Sequence, residues 1–398
     1  MKKILLLSNG HGEDLNASVI ASAIREINPR VHLSAFPIVG EGKSYQNKNI
    51  EIVAPIGSMP SGGMFYLKPV NLIKDLFSGL IALTIKQLMT LNKIKKDYDL
   101  IVAVGDIVPL LFAYLTKRNF FILFVAYSSY YNGKTKLSFI QRKMLNSPFC
   151  LGILTKDNLT AKDIKKIGFE KVFCFGYPIM DTLNSQGNIL PLTQDKKMIA
   201  LLPGSRLPEA LNNLKLQLKV CEKVISKSPQ LWDFYGALVP SITAQDLADI
   251  CEQMGWEFLP HQGGGNILQK KIGQNWLRVR TYTNAFADIL LNCDVVLGMA
   301  GTAVEQAVGL GKPVIQIIGE GPQFTYRFAD AQMRLLGLNV RTIAPNPDRK
   351  KVFEQAAQEI VTVVEDKEYL AKCVENGRER VGTAGGSRAI ALHVLQEI

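Results

Sequence analysis

Short apolar runs, each closed by a glycine or polar turn and followed by apolar residues at helical spacing, recur along the whole chain. Ile4 to Ser8 is the first such strand, Asn9-Gly10-His11-Gly12-Glu13-Asp14 its turn, and Leu15 to Ile27 the helix that follows. Further strands are predicted over Val31–Phe36, Asp99–Gly105, Phe120–Ala126, Leu151–Thr155 and Val172–Phe175, with a helix reaching Ile167. Gly176-Tyr177-Pro178 and the polar stretch from Asn184 to Lys197 then predict a linker. A second series opens with the strand Met198–Leu202, the turn Pro203-Gly204-Ser205-Arg206 and a long helix from Pro208. Strands around Leu231–Ala237 and Leu277–Thr281 follow, with Gly263-Gly264-Gly265 as a hairpin or loop tip and a segment from Asn284 to Leu291. The strand Asp294–Gly298 leads through Met299-Ala300-Gly301 into a helix that Thr302 is expected to cap, with Glu305 completing a capping box. Gly311 and Pro313 end that helix before the strand Val314–Ile318. A strand near Asn339–Ile343, two polar helices, and Gly385-Gly386-Ser387-Arg388 before a helix to Ile398 close the chain.

Strand, glycine turn and helix repeated in this way predict an α/β fold of two Rossmann-like domains. The first is expected over 1–182 and the second over 196–382, with 383–398 a C-terminal helix packing back on the first. A length of 398 residues agrees with two cores. The net charge of +11 adds an anionic partner to this picture, whether phosphorylated substrate, acidic lipid or nucleic acid. Nucleic acid is disfavoured, because the lysines cluster beside apolar residues and no recognition module is present. Six cysteines stand singly, without C-x-x-C spacing, and four histidines are dispersed, which points to reduced core thiols in a cytoplasmic protein and to no metal site. Lys2-Lys3 passes directly into the first strand, with no signal-peptide pattern.

Candidate chemistry lies at the turns. A glycine turn between a strand and a helix offers N–H groups and a positive dipole end to an anion, and the expectation at Met299–Thr302 is a nucleotide pyrophosphate. Thr302 and Glu305 could equally do no more than cap. Pro203-Gly204-Ser205-Arg206 is a second such turn, with an arginine suited to pair with phosphate. Gly10 and Gly12 suggest a dinucleotide fingerprint, but its third glycine is Leu15 here and Val31–Phe36 carries no acid, which argues against NAD. Asp106 follows a buried strand at the edge where such sheets bind ligands, so it is a general-base candidate or an N-cap for the helix near Pro109. Asp97-Tyr98-Asp99 lies at the opposite edge and is discounted as a metal motif. Tyr127-Ser128-Ser129-Tyr130-Tyr131 suits stacking on a sugar or flanking an acyl chain. The basic, amphipathic stretch 61–96 fits either a core helix with a lysine edge or peripheral contact with an anionic membrane.

In order and spacing, Leu201-Leu202-Pro203-Gly204-Ser205-Arg206, Gly301-Thr302-Ala303-x-Glu305, Gly311-x-Pro313 and Phe324-Thr325-Tyr326 resemble lipid-A-disaccharide synthase. Gly12-Glu13, Gly105-Asp106 and Gly176-x-Pro178 with Asp181 add weaker similarity. The resemblance implies a GT-B glycosyltransferase architecture with an interdomain cleft. Its activity would be inverting transfer of an acylated glucosamine from UDP to an acylated sugar phosphate or other lipid at a membrane surface. Asp106 and Glu13 would be the catalytic carboxylates, with no metal and no cofactor beyond the UDP-sugar donor. Gly204, Ser205, Arg206, Gly301, Thr302 and Glu305 would bind the nucleotide sugar, Thr302 holding phosphate and Glu305 the ribose. His11, Gly12, Tyr127 and Ser128 would face the acceptor, and a homodimer is compatible with this reading. Departures from the family pattern fall in the acceptor half, at Gly10–Asp14 and Tyr127–Asn132. Two other readings share the architecture. One is a UDP-sugar 2-epimerase, which would need several carboxylates and a histidine converging on the sugar, a set not evident in the sequence. The other is a non-catalytic nucleotide-sugar or lipid-binding protein.

Overall fold

The structure, a computed structural model, describes residues 1–56, 80–188, 190–229, 231–260, 265–319 and 325–398. The chain forms two compact units, Met1–Thr182 with Thr383–Ile398, and Leu183–Gly382.

Unit 1 contains β1 (Lys3–Ser8), β2 (His32–Pro37), β3 (Glu51–Ile52), β4 (Leu100–Gly105), β5 (Phe120–Phe124), β6 (Cys150–Thr155) and β7 (Val172–Phe173). They form one sheet in the order β3-β2-β1-β4-β5-β6-β7, parallel throughout. Ile4 to Leu7, Leu100 to Val104 and Phe120 to Phe124 are buried, as strands covered on both faces must be. The order reverses between β1 and β4, so the crevice outside their carboxyl ends is the place where this topology admits a ligand. Asp97-Tyr98-Asp99 does sit at the other edge, where Asp99 accepts the Lys3 N–H at 2.9 Å.

Unit 2 contains β8 (Lys197–Leu202), β9 (Trp232–Ala237), β10 (Glu257–Pro260), β11 (Gly265–Ile272), β12 (Asn275–Tyr282), β13 (Val295–Gly298), β14 (Val314–Gln316) and β15 (Val340–Thr342). Their order is β10-β11-β12-β9-β8-β13-β14-β15, parallel from β12 to β15. An antiparallel extension, β10-β11-β12, was not anticipated beyond part of β12. Gly265 opens β11, while Gly263 and Gly264 of the expected tip lie outside the described residues. Here the order reverses between β8 and β13, which brings the two glycine turns of this half to one crevice.

Two expectations change. The polar stretch after Asn184 is tied to unit 2: Ser185 Oγ and the Gln186 N–H donate to Asp288 Oδ1 at 2.6 and 3.0 Å, and Asn188 Nδ2 donates to Oδ2 at 2.9 Å. Burial would raise the Asp288 carboxyl, but these hydrogen bonds outweigh it and hold the group below its ordinary value. In unit 1, the Gly176–Asp181 motif closes on the last helix, Gly386–Leu395. The Asp181 carboxylate accepts from the Gly385 N–H and from the Ser387 N–H and hydroxyl, filling the positive end of that helix. A Cβ at Gly386 would lie 2.8 Å from the Gly176 carbonyl carbon, so two backbones meet there.

The helix Lys367–Arg380 approaches the helix Thr302–Gly309 in the same way. A Cβ on Gly377 would run into the Val308 carbonyl oxygen and sit 3.3 Å from Gly311 Cα. Gly377→Ala is therefore expected to destabilise unit 2 by about 3 kcal/mol, lowering its Tm by roughly 6–12 °C. Calorimetry showing an unchanged melting point would refute this packing.

Candidate functional site

Each unit presents a group of polar residues at its reversal point. In unit 1 the helix His11–Ile27 starts directly after β1, with Gly10 as N-cap and no capping side chain. Glu13 and Asp14 occupy its first turn, where the helix dipole favours negative charge. The Glu13 side chain folds back against both glycines: a Cβ on Gly10 would lie 2.6 Å from Glu13 Oε2, and one on Gly105 3.3 Å from Glu13 Cγ. Gly105 has φ +144°, which lets the chain leave β4 close beside Asn9.

Asp106 follows and is half-buried. It caps the helix Ile107–Thr116, its Oδ1 accepting from the Val108 N–H at 2.8 Å and from Asn9 Nδ2 at 2.9 Å. Of the two alternatives open in the sequence, the cap is formed, and it uses Oδ1. Both bonds use Oδ1, and Oδ2 has no such donor among the described residues. Burial raises the Asp106 carboxyl above its ordinary value, the bonds from Val108 and Asn9 opposing it. Tyr127 lies close enough to feel that charge: burial raises its hydroxyl and the Asp106 carboxylate raises it further. The Tyr127 ring packs edge-on against Phe124 at 5.0 Å, and its hydroxyl accepts from Gln141 Nε2 at 2.9 Å.

Of the residues expected to face an acceptor, the fold brings Gly12 and Tyr127 to the corner that holds Glu13 and Asp106. His11 stands exposed on the same turn, its Cε1 3.9 Å from where a Gly40 Cβ would be. Ser128 is buried, and its hydroxyl caps the helix Ser129–Asn132 by accepting from the Tyr130 N–H at 3.3 Å. Much of the loop around it is pinned: Ser129 Oγ pairs with Thr135 Oγ1 at 2.7 Å, and the Ser129 N–H donates to Thr160 Oγ1 at 2.9 Å.

Sequence reasoning missed the layer beneath this corner. Tyr45 and Ser8 hydroxyls meet at 2.6 Å, and Ser8 donates to Asp14 Oδ1 at 2.6 Å. Asp14 is fully buried, and among the described residues its Oδ2 has no hydrogen-bond partner. Burial pushes its carboxyl up to about 7, with Ser8 opposing and the Glu13 charge adding to the rise. Polar Ser8 at the end of an apolar strand was the available signal.

In unit 2, Gly204 (φ +105°) turns the chain out of β8. Arg206 begins the hydrogen-bond ladder of the helix Glu209–Lys227, its carbonyl accepting from the Ala210 N–H at 2.7 Å. Ser205 is exposed and Arg206 half-buried. The facing turn is held to β8 by Met299 N–H donating to the Leu202 carbonyl at 2.8 Å. The expected capping box does not form. Thr302 is the first helical residue, Gly301 is the N-cap, and no side chain caps the helix. The helix starts one residue early because the Gly301 carbonyl already accepts from the Val304 N–H at 3.0 Å. Glu305 lies in the first turn, half-buried. An uncapped helix end at the switch point is the geometry that suits a phosphate.

Buried amides support both turns from below. Asn213 Nδ2 donates to the Pro203 carbonyl at 2.9 Å, and Gln217 Nε2 to the Leu297 carbonyl at 2.9 Å. Thr342 Oγ1 donates to Gln316 Oε1 at 3.0 Å, Gln316 to Gln332 Oε1 at 2.6 Å, and Gln332 to the Ala300 carbonyl at 3.1 Å. Glutamines inside apolar runs such as Val314-Ile315-Gln316-Ile317 were the overlooked signal. In the Phe324-Thr325-Tyr326 motif, Thr325 caps the helix Tyr326–Leu336, and Phe324 lies outside the described residues.

No protein-family model matches the chain, and no curated protein matches it in sequence. Solved structures do match over its whole length. The S. aureus MnaA protein with UDP has a TM-score of 0.62 at 14% identity, covering 100% of this chain and 98% of that one. The calicheamicin glycosyltransferase CalG4 gives the same four values. UDP-GlcNAc 2-epimerase from Neisseria meningitidis, bound to UDP-GlcNAc, has a TM-score of 0.58 at 13% identity and covers 100% of both chains. The two parallel α/β domains of this chain are thus built on the architecture that GT-B glycosyltransferases share with UDP-GlcNAc 2-epimerases.

Proposed function

We propose that the protein is an inverting, UDP-sugar-dependent glycosyltransferase related to lipid-A-disaccharide synthase, moving a glucosamine-type sugar onto a lipid or acylated sugar acceptor. The observation that carries this reading is Asp106, half-buried at the reversal point of unit 1 with one carboxylate oxygen fixed by Val108 and Asn9 and the other left for a reacting hydroxyl. Burial that raises its proton affinity makes it a stronger base near neutral pH. As the acceptor oxygen forms its bond to the anomeric carbon, its proton passes to Asp106 Oδ2 and the bond from that carbon to UDP breaks. The negative charge that develops on UDP is met in unit 2 by the N–H groups at Gly204–Arg206, the Arg206 guanidinium and the uncapped helix end at Gly301-Thr302. Glu305 takes the ribose hydroxyls. Glu13 supports Asp106 across Gly105, and His11, Gly12 and Tyr127 line the acceptor side. Ser128, committed to a cap, shapes that loop through its backbone.

Arg206→Ala and Glu305→Ala are each expected to weaken UDP binding about tenfold to a hundredfold, the worth of one charge-assisted hydrogen bond. Titration calorimetry with UDP checks this; unchanged affinity in both variants would remove the nucleotide from this turn.

One observation favours the epimerase as a second reading. The fold gathers Glu13 and Asp106 into one corner with His11 on the same turn, much of the carboxylate-and-histidine set that the sequence did not display. Incubation with UDP-GlcNAc separates the two. A transferase releases UDP only when a lipid extract supplies an acceptor and leaves the configuration at C2 unchanged, whereas an epimerase forms the C2 epimer with no acceptor. Epimer formation by the purified chain would overturn the transferase.

A further inference from the structure

Three helices of unit 1, Leu80–Ile94, Ile107–Thr116 and Phe139–Leu145, pack side by side on one face of the sheet. Each turns large apolar side chains to solvent. Ile81, Ile85 and Met89 make a stripe at i, i+4 and i+8 on the first, Leu111 and Leu115 continue it on the second, and Phe139 and Ile140 end it on the third. Phe139 is 81% exposed, Met89 68% and Ile140 60%, which is unusual for side chains of this size in neighbouring positions.

The charge along the three helices that carry the stripe is positive. From Ile107 to Lys156 the chain contains seven Lys and Arg and no Asp or Glu, and the Leu80–Ile94 helix has lysines but no acid. Lys86, Lys93, Lys117, Lys134, Arg142 and Lys143 are all exposed. An exposed apolar face bordered mainly by cations, with exposed Asp97 only beyond the carboxyl end of the first helix, complements a surface that is apolar inside and anionic at its rim. A protein partner would need an acidic border of matching extent, whereas an anionic bilayer supplies it everywhere.

The face is also rigidly tied to the candidate site. Ser138 and Gln141 form a capping box, at 2.8 and 3.2 Å, that fixes Phe139 and Ile140 in the first helical turn. The same Gln141 donates to the Tyr127 hydroxyl beside Asp106. Helices that link parallel strands run antiparallel to them, so Ile81, Phe139 and Ile140 lie toward the carboxyl edge that carries Asp106.

We propose that this three-helix face is a docking surface for an anionic lipid bilayer, with Phe139, Ile140 and the Ile81–Met89 stripe entering the interface and the surrounding lysines and arginines meeting lipid phosphates. It extends the expected membrane contact beyond 61–96, of which 61–79 lie outside the described residues, and it holds whichever sugar chemistry the protein performs. Among the described residues no helix is long and apolar enough to cross a membrane, so the contact is peripheral.

Co-sedimentation of the full chain with phosphatidylglycerol-rich and with pure phosphatidylcholine vesicles tests this. Binding is expected to the anionic vesicles, to weaken in high salt, and to fall by about fivefold for each Lys or Arg neutralised around the face. Phe139→Glu/Ile140→Glu is expected to cut it at least tenfold or so, and Phe139→Ser/Ile140→Ser to lower it as well, because buried apolar area drives the insertion. Trp276→Glu, an exposed aromatic in unit 2, serves as the control that leaves binding intact. Calorimetric UDP affinity should stay the same in every variant, which separates a failure of this face from a failure of the nucleotide site. Equal binding of wild type and both double variants, no binding to anionic vesicles, or a dimer that the double variants dissociate without any vesicle binding would each overturn the proposal; the last would make the face a contact between two copies.

Discussion

Asp106→Asn is expected to lower sugar transfer by about a hundredfold to ten-thousandfold while leaving UDP affinity within roughly a factor of two, the range spanned by removal of a positioned general base. The substitution is suited to the question because it keeps the local structure. Asparagine caps a helix as well as aspartate does, and its Oδ1 still accepts from the Val108 N–H and from Asn9. What it loses is a second oxygen able to take a proton. Release of UDP in the presence of a lipid extract measures the rate, and calorimetry the affinity. Turnover at the wild-type rate would show that Asp106 is a cap and no more.

The second large effect concerns stability and pH. Asp14 titrates near 7 in the folded protein against roughly 3.9 unfolded, so between these values the folded state binds the extra proton. Stability gained by keeping Asp14 neutral is therefore fully present below about pH 4 and is lost as pH rises to about 7, a fall on the order of 4 kcal/mol for a buried carboxyl. The physical cause is the unpartnered Oδ2, which cannot be left charged beneath the Asn9–Glu13 turn without solvent or a donor. Ser8, itself paired with the Tyr45 hydroxyl, satisfies only Oδ1, and Glu13 opposes ionisation. Asp14→Asn should flatten the slope, making the variant the more stable protein at pH 8 and no more stable than its parent at pH 4. Urea unfolding across this range checks it; parallel curves for the two proteins would mean that Asp14 is ionised in the folded state.

The two corners were legible to different extents. The glycine turns at Gly10, Gly204 and Gly301 stand out as breaks that end apolar runs, and of the three only Gly204, at φ +105°, adopts a backbone conformation that favours glycine. Their placement at reversal points came only from strand order, which depends on which strands pair and not on any local pattern. The Thr302–Glu305 box was misjudged for a related reason. A capping motif fixes a helix start only when nothing else does, and here the Gly301 carbonyl, held by Gln332 at 3.3 Å, sets it one residue earlier. The strands β10 and β11 escaped, although Gly263-Gly264-Gly265 was read as a hairpin or loop tip, because polar and charged residues interrupt them and they lie toward the edge of the sheet, so they lack the continuous apolar run that marks β1, β4 or β8.

By itself the sequence determined the α/β class, the alternation that makes two parallel sheets, and where the turns fall, because burial on both faces of a strand demands unbroken apolar runs and glycine or polar residues interrupt them. Only the tertiary structure decided that Glu13, Asp106 and Tyr127 share a corner, that Asp14 is sealed beneath it, and that buried amides brace the turns of unit 2. Those relations join residues tens to a hundred positions apart, and no periodicity along a chain records which distant segments its folding will bring into contact.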